Sequence, residues 1–175
     1  MSETSEPNKY QRFVESIITL TDKKNGTVAA AALKRADNQN LEYQSWEYLA
    51  RLNVDIENPN ERFPYATIAC AMAKAKAEQN GKTKIGAAIA KCYEEGSESD
   101  QATAKLRRLL ACDSIEEICQ VLRPLFSLIN SKAGIQLDYA DLLKDLRWFY
   151  KNSQQTKAKW AQNFYRHSVA DEANP

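Results

Sequence analysis

The chain has 175 residues, of which 43% are apolar and 27% charged, so it can bury a sizeable core and is not disordered as a whole. Its five Gly and five Pro, set against abundant Ala, Leu, Lys, Glu and Gln, exclude the turn-rich pattern of a sandwich or barrel and point to an all-α fold. The net charge of +1 selects no class of partner by itself. The opening MSETSEPNKY has no apolar stretch like that of a signal peptide, and no later run approaches the roughly 20 apolar residues that span a bilayer. A cytoplasmic protein with no membrane partner is therefore expected.

Residues 8–20 place Phe13, Ile17, Ile18 and Leu20 at near-helical spacing, and Asp22 to Gly26 reads as a turn. Thr27 is placed to cap the Ala-rich helix TVAAAALKRAD, whose last turn carries Lys34 and Arg35, where cations suit the helix dipole. A third helix is predicted from about Glu42 to Leu52, with Trp46, Leu49 and Tyr43 on its inner side, and Asn58-Pro59-Asn60 reads as a breaker. Residues 61–79 predict a longer helix with Pro64 in its first turn, closed by Asn80-Gly81. Residues 84–94 predict another, with Ile85, Ala88, Ile89 and Cys92 on one face.

The acidic loop EEGSESD then marks a boundary near residue 97 between an N-terminal helical subdomain (1–97) and a C-terminal one (98–175). Asp100 is the expected N-cap of QATAKLRRLLA, with Leu106, Leu109 and Leu110 as its stripe and Arg107 and Arg108 on its flank. Ser114 and Glu117 form a capping box for a helix through Ile115, Ile118, Leu122, Leu125, Phe126 and Ile129, kinked or split at Pro124 and closed at Gly134. Asp138 caps YADLLKDLRWFYK, with Leu142, Leu143, Leu146 and Phe149 inward and Lys144, Arg147 and Lys151 toward one outer side. The last helix, TKAKWAQNFYRH, turns Trp160 or Ala161 and Phe164 inward and leaves Lys157, Lys159 and Arg166 outside, before a polar tail that is expected to fray.

Enzyme chemistry finds little support. Cys70, Cys92, Cys112 and Cys119 sit in helical apolar sequence without the two-residue spacing of zinc or redox motifs, so they read as reduced core thiols. The one histidine, His167, has no nucleophile motif to serve, and the pairs Asp113/Glu116, Glu116/Glu117 and Asp138/Asp141 fall at helix starts, where capping explains them. Gly81-Lys82-Thr83 imitates the end of a phosphate loop, but Lys76 stands where the motif needs its earlier glycine. No catalytic residue, metal or cofactor is expected.

The charge is unevenly spread. Residues 101–169 hold eleven Lys or Arg against six Asp or Glu, a net +5, which leaves −4 for the remainder. This suits a protein presenting one face to phosphate and another to protein or solvent, and it equally suits ordinary solvated helices. Trp148, Tyr150, Trp160 and Tyr165 lie near the basic edges and could stack on bases, although packing is the favoured role of both tryptophans.

From residue 84 to 166 the sequence resembles the CasB family, the small subunit of the type I-E CRISPR surveillance complex Cascade, in the segments LRRLLAC, LRPLFSLI, IQLDYADLLKDL and KAKWAQNFY. A weaker resemblance lies in GTVAAAALKRA, where Lys34 stands for the first arginine of the family's Leu-Arg-Arg and keeps its charge without the bidentate fork. The resemblance implies an all-helical, non-catalytic subunit of two small subdomains. It implies two copies head to tail beside the backbone and large subunits, in contact with guide RNA and with target DNA including the displaced strand. Holding the R-loop open for a separate helicase-nuclease would be its role, since R-loop formation is a nearly balanced exchange that backbone contacts can tip. Lys34, Arg35, Arg107, Arg108 and Arg123 are the nucleic-acid-binding positions carried over, Arg123 being open also to pairing with an acidic neighbour. Lys144, Arg147, Lys151, Lys157 and Lys159 are added from charge placement alone. The competing reading is a helical adaptor that contacts only proteins.

Overall fold

In a computed structural model that describes residues 8–24 and 26–166, the chain is all-α, with nine α-helices and one short 3-10 turn among the described residues. His167 and the polar tail lie outside them. No helix of the described residues is long and apolar enough to cross a membrane.

The first helix, α1 (Lys9–Leu20), starts at a reciprocal cap: Asn8 Oδ1 accepts from the Tyr10 and Gln11 amides at 3.0 Å each, and Gln11 Oε1 accepts from the Asn8 amide at 3.2 Å. It buries Tyr10, Phe13, Val14 and Ile17, one apolar stripe at three- and four-residue steps, while Ile18 and Leu20 are only partly covered. Helix α2 (Thr27–Lys34) has Gly26, not Thr27, at its cap position, and a Cβ on Gly26 would sit 2.0 Å from the Leu20 carbonyl oxygen. Helix α3 (Tyr43–Arg51) turns Leu49 inward as expected but pairs it with Ser45, four residues earlier, so Tyr43 and Trp46 are exposed instead. Ser45 tolerates burial because its hydroxyl donates to the Glu42 carbonyl at 2.7 Å.

Helix α4 (Pro59–Ala75) is central. The Asn58-Pro59 pair starts it rather than breaking the chain: Asn58 Oδ1 accepts from the Asn60 amide at 3.0 Å, and Pro59 takes the first helical position. Pro64 therefore lies inside the helix and not in its first turn, and the helix ends at Lys76, which is left-handed at φ 51°, short of the expected Asn80-Gly81. Every residue from Pro64 to Ala73 is buried, as in a helix covered on all sides, and α1, α2 and α3 pack around it. Its alanines let those neighbours approach closely.

Helix α5 (Ile85–Lys91) buries Ile85, Ala88 and Ile89, with Cys92 beyond its end. After the 3-10 turn Gly96–Glu98, at the expected subdomain boundary, Ser99 and not Asp100 caps α6 (Asp100–Leu110) by accepting from the Ala102 amide at 3.3 Å. The Ser114–Glu117 capping box opens α7 (Ile115–Asn130). Pro124 neither splits nor ends α7, since it lies with Gln120 on the exposed side, where the carbonyl it leaves unpaired costs little. The helix stops at Asn130, and Gly134 (φ 85°) belongs to the turn that follows.

Asp138 caps α8 (Tyr139–Arg147), which stops four residues earlier than expected. Phe149 already opens α9 (Phe149–Arg166), kinked at Asn152 (φ −125°, ψ 30°). Helices α7 and α8 join the group around α4, and α9 lies against α5 and α6, so helices from both sides of residue 97 contribute to one continuous core. All four cysteines are buried free thiols within or beside it, with burial pushing Cys70 up to about 11 and Cys119 up to about 12.

Two glycines permit backbone contacts on which this packing depends. A Cβ on Gly81 would stand 2.0 Å from the Gln136 carbonyl oxygen, where the Gly81 and Thr83 amides each donate at 3.0 Å to Leu137 and Gln136. A Cβ on Gly86 would stand 2.1 Å from the Trp160 carbonyl oxygen and 2.8 Å from the Phe164 nitrogen, so α5 meets the backbone of α9 directly. Gly86→Ala has only backbone to push against. It should lower the urea midpoint by the equivalent of about 1–3 kcal/mol, as overpacking does, and Leu122→Ala in the fully buried core by about 2–5 kcal/mol. A Gly86→Ala chain as stable as the wild type would show that the α5–α9 contact is loose.

Candidate nucleic-acid interface

The ten basic positions singled out in the sequence divide according to what the fold does with their charge. Lys34 and Arg35 close α2. Lys34 is half-buried on a groove of about 550 Å³ between α1, α2 and α4, which Lys23 and Lys76 also border, while Arg35 is exposed and donates to Gln44 Oε1 at 2.6 Å. Arg107 and Arg108 are both exposed on the last turn of α6, with the buried Leu106 and Leu109 fixing the opposite face. Because α2 packs on α3 and α4 whereas α6 packs on α5, α7 and α9, the two pairs are held by different parts of the fold.

Arg123 is half-buried on α7, and its Nε has no hydrogen-bond partner. It borders a cavity of about 200 Å³ that Asp37, Thr67, Lys74 and Ser127 also line, and the Asp37 carboxylate there is paired with Lys74. Among the described residues Arg123 forms no ion pair, so the acidic partner considered for it is not engaged.

The C-terminal candidates separate further. Lys144 and Lys151 are exposed, with no ion pair among the described residues. Arg147, between them in sequence, is largely buried and meets Glu61 of α4 at 3.1 Å. Lys157 meets Asp113 at 3.3 Å, with its own side chain mostly covered. Lys159 is claimed by two carboxylates, Asp141 and Asp145, at 2.8 Å each.

Lys159 belongs to a chain of charges that the sequence does not reveal. Lys84, at the start of α5, meets Asp138 at 2.8 Å and Asp141 at 3.2 Å, and Asp141 then meets Lys159. Asp145, held by Lys159, also accepts from the Trp160 indole at 2.9 Å. Asn80 donates to Asp138 at 2.9 Å, and Asp138 in turn caps α8 through the Asp141 amide at 3.0 Å.

Burial raises the Asp138 carboxyl, but hydrogen bonds from Lys84 and Asn80 outweigh it and hold its pKa below the ordinary value. Burial lowers Lys84 and Lys159, and their carboxylate partners more than reverse this, leaving both above the usual lysine value. At Asp145 burial prevails over the contacts with Lys159 and Trp160, and its pKa is raised. The pair Asp138/Asp141 thus caps a helix, as its position suggested, and also anchors two lysines.

The aromatic candidates divide as well. Trp160 is fully buried and stacks on Phe149 at 6.3 Å. Trp148 is half-buried, and its indole donates to the Tyr10 hydroxyl at 2.7 Å. Tyr150 and Tyr165 are exposed. Around Trp148 gather Arg147 at 5.0 Å, Lys151 at 5.1 Å and Lys9 at 5.9 Å from the ring centroid. Lys9 had no signal in the sequence, because α1 joins this cluster only through its packing on α8.

The match to a family model decides the identity: residues 29–165 fit the model of CRISPR-associated protein Cse2. The chain belongs to the Cse2 family. Solved structures agree in fold. CasB from M. ruber superposes with a TM-score of 0.73 at 23% identity, over 96% of this chain and 98% of that one. CasB from Thermus thermophilus gives 0.72 at 20% identity, over 90% and 97%. A chain of a structure described as a CRISPR RNA-guided surveillance complex gives 0.74 at 18% identity, over 95% and 98%. No curated protein matches the sequence. The Cse2 match takes in all of the basic candidates from Lys34 to Lys159 and leaves Lys9 outside.

For this Cse2 chain the pairing pattern predicts two stability classes. Lys159→Ala leaves Asp145 buried without its cation and should cost about 1–3 kcal/mol. Arg107→Ala, Arg108→Ala, Lys144→Ala and Lys151→Ala, all on exposed surface, should each stay within about 0.5 kcal/mol of wild type. Denaturant melts separate the classes, and equal effects in both would deny Lys159 its structural role.

Proposed function

We propose that this Cse2 chain is the non-catalytic small subunit of a type I-E Cascade complex and that it holds the R-loop open by neutralising phosphates of the target, the displaced strand included. The observation that carries this reading is the division of the basic residues. Arg107, Arg108, Lys144 and Lys151 face solvent with no carboxylate of the described residues bound to them, while Arg147, Lys157 and Lys159 are engaged in ion pairs within the chain. Exposed cations without intramolecular partners can release counterions from nucleic acid without disturbing the fold. Family membership supports the setting, as does the likeness in fold to a chain of a surveillance complex. The proposed partners follow: the backbone and large subunits of Cascade, a second copy of this chain, guide RNA and target DNA.

No element of the chain carries a base-reading motif, so the contacts are to backbone and independent of sequence. The adaptor reading keeps one position: Lys34, half-buried on the rim of an apolar groove, suits a protein contact better than a phosphate.

The test is target affinity against salt concentration for assembled complexes of verified subunit composition. Replacing Arg107, Arg108, Lys144 and Lys151 together by alanine should leave assembly intact and flatten the log-log salt dependence by about 0.7–0.9 for each phosphate no longer neutralised, similarly across target sequences. An unchanged slope with unchanged affinity would reject these residues as the groups that meet phosphate.

A further inference from the structure

We propose that Tyr150 is a stacking platform for an unpaired base of single-stranded nucleic acid, served by Lys151 beside it and by the cations around its neighbour Trp148. The proposal deepens the phosphate-contact reading and rests on it, adding a base contact where that reading has only charge. Tyr150 is 49% exposed although it sits at the junction of two packed helices. It lies near-parallel to Trp148, with centroids 6.2 Å apart and planes 23° from each other. Trp148 is itself fixed by its hydrogen bond to Tyr10 and by Arg147, which Glu61 anchors. Trp148 is therefore held in place before any ligand arrives and gives Tyr150 a fixed ring to lie against.

The charge around the ring selects the ligand. Lys151 lies 5.4 Å from the Tyr150 centroid and 5.1 Å from that of Trp148, and Lys9 lies 5.1 Å from Tyr10 and 5.9 Å from Trp148. Lys144 is exposed one helical turn before Arg147 on the same helix. Among the described residues only Arg147 of these cations is ion-paired, so Lys151, beside the ring, has no carboxylate of the described residues bound to it. An aromatic face in a positive field is the combination that binds single strands, since every base has a π-face and every linkage a phosphate. A duplex presents base edges in its grooves and keeps the faces stacked inside, so only an unpaired base can use this ring. Tyr165 supplies the contrast: it is 55% exposed, but it meets Phe164 edge-on and no cation of the described residues lies over it.

The experiment measures binding of the full-length chain at low salt to a short oligothymidine, to an abasic strand of equal length, and to a duplex. Tyr150→Ala should weaken binding to oligothymidine by about ten- to a hundredfold, the range for loss of one stacked base. Binding to the abasic strand and the duplex should not change, nor should the salt slope. Tyr150→Phe should bind as wild type does, and Tyr165→Ala should have no effect. Lys151→Ala should lower the salt slope on all three probes. Equal affinity of Tyr150→Ala and wild type for oligothymidine, or equal weakening on the abasic strand, would overturn the platform, as would a wild-type chain that shows no salt-dependent binding. The phosphate-contact reading stands or falls separately, on the salt slope of the assembled complex.

Discussion

The chain of charges from Lys84 through Asp138 and Asp141 to Lys159 and Asp145 fastens the start of α5 to α8 and α8 to α9. Each carboxylate in it has at least one further donor or cation, so the partly buried acids are compensated by geometry and not by solvent alone. The same loop is fixed by backbone: Asp138 donates its amide to the Thr83 carbonyl at 2.8 Å, beside the parallel bridge between Thr83 and Leu137. Gly81 is what lets the two segments come so near. A stretch that imitates a phosphate loop in sequence is thus a structural clasp.

The clasp and two separate ion pairs together leave only some cations unengaged among the described residues. Lys84 and Lys159 are engaged within the clasp, while Lys157 and Arg147 are held by Asp113 and Glu61. The bases left free project from helices whose opposite faces are firmly seated. The Arg107/Arg108 pair stands over the buried Leu106 and Leu109, and Lys144 over Leu142, Leu143 and Leu146. Under the proposed function such mounting would help, because the backbone that carries these charges is already ordered by folding and only side-chain freedom is left to lose on binding.

Much of this was legible in the sequence because helix grammar is local. The Ser114–Glu117 box, the Asp138 cap and the inner faces of α7 and α8 need only three- and four-residue relationships, and the structure shows them, except that Phe126 is only partly covered and Phe149 belongs to α9. The same locality explains the errors. Asn58-Pro59 has the signature both of a break and of a capped start, and here its local cap opens α4. Ser45 replaced Trp46 on the inner face of α3 because the face is set by Leu49 and the neighbouring helices, not by hydrophobicity alone. At the candidate interface, charge could be counted but pairing could not. Lys84 and Asp138 are 54 residues apart, and Tyr10 and Trp148 are 138 apart, distances over which composition and periodicity carry no information.

The central claim is that the bases without partners inside the fold are those that meet nucleic acid. Lysine reactivity measures it directly, by mass-spectrometric comparison of acylation in the assembled complex before and after target binding. Lys144 and Lys151 are expected to react readily in the free complex and to become protected on target binding, while Lys157 and Lys159 react slowly in both states. Protection of Lys157 and Lys159 with Lys144 and Lys151 unchanged would contradict it.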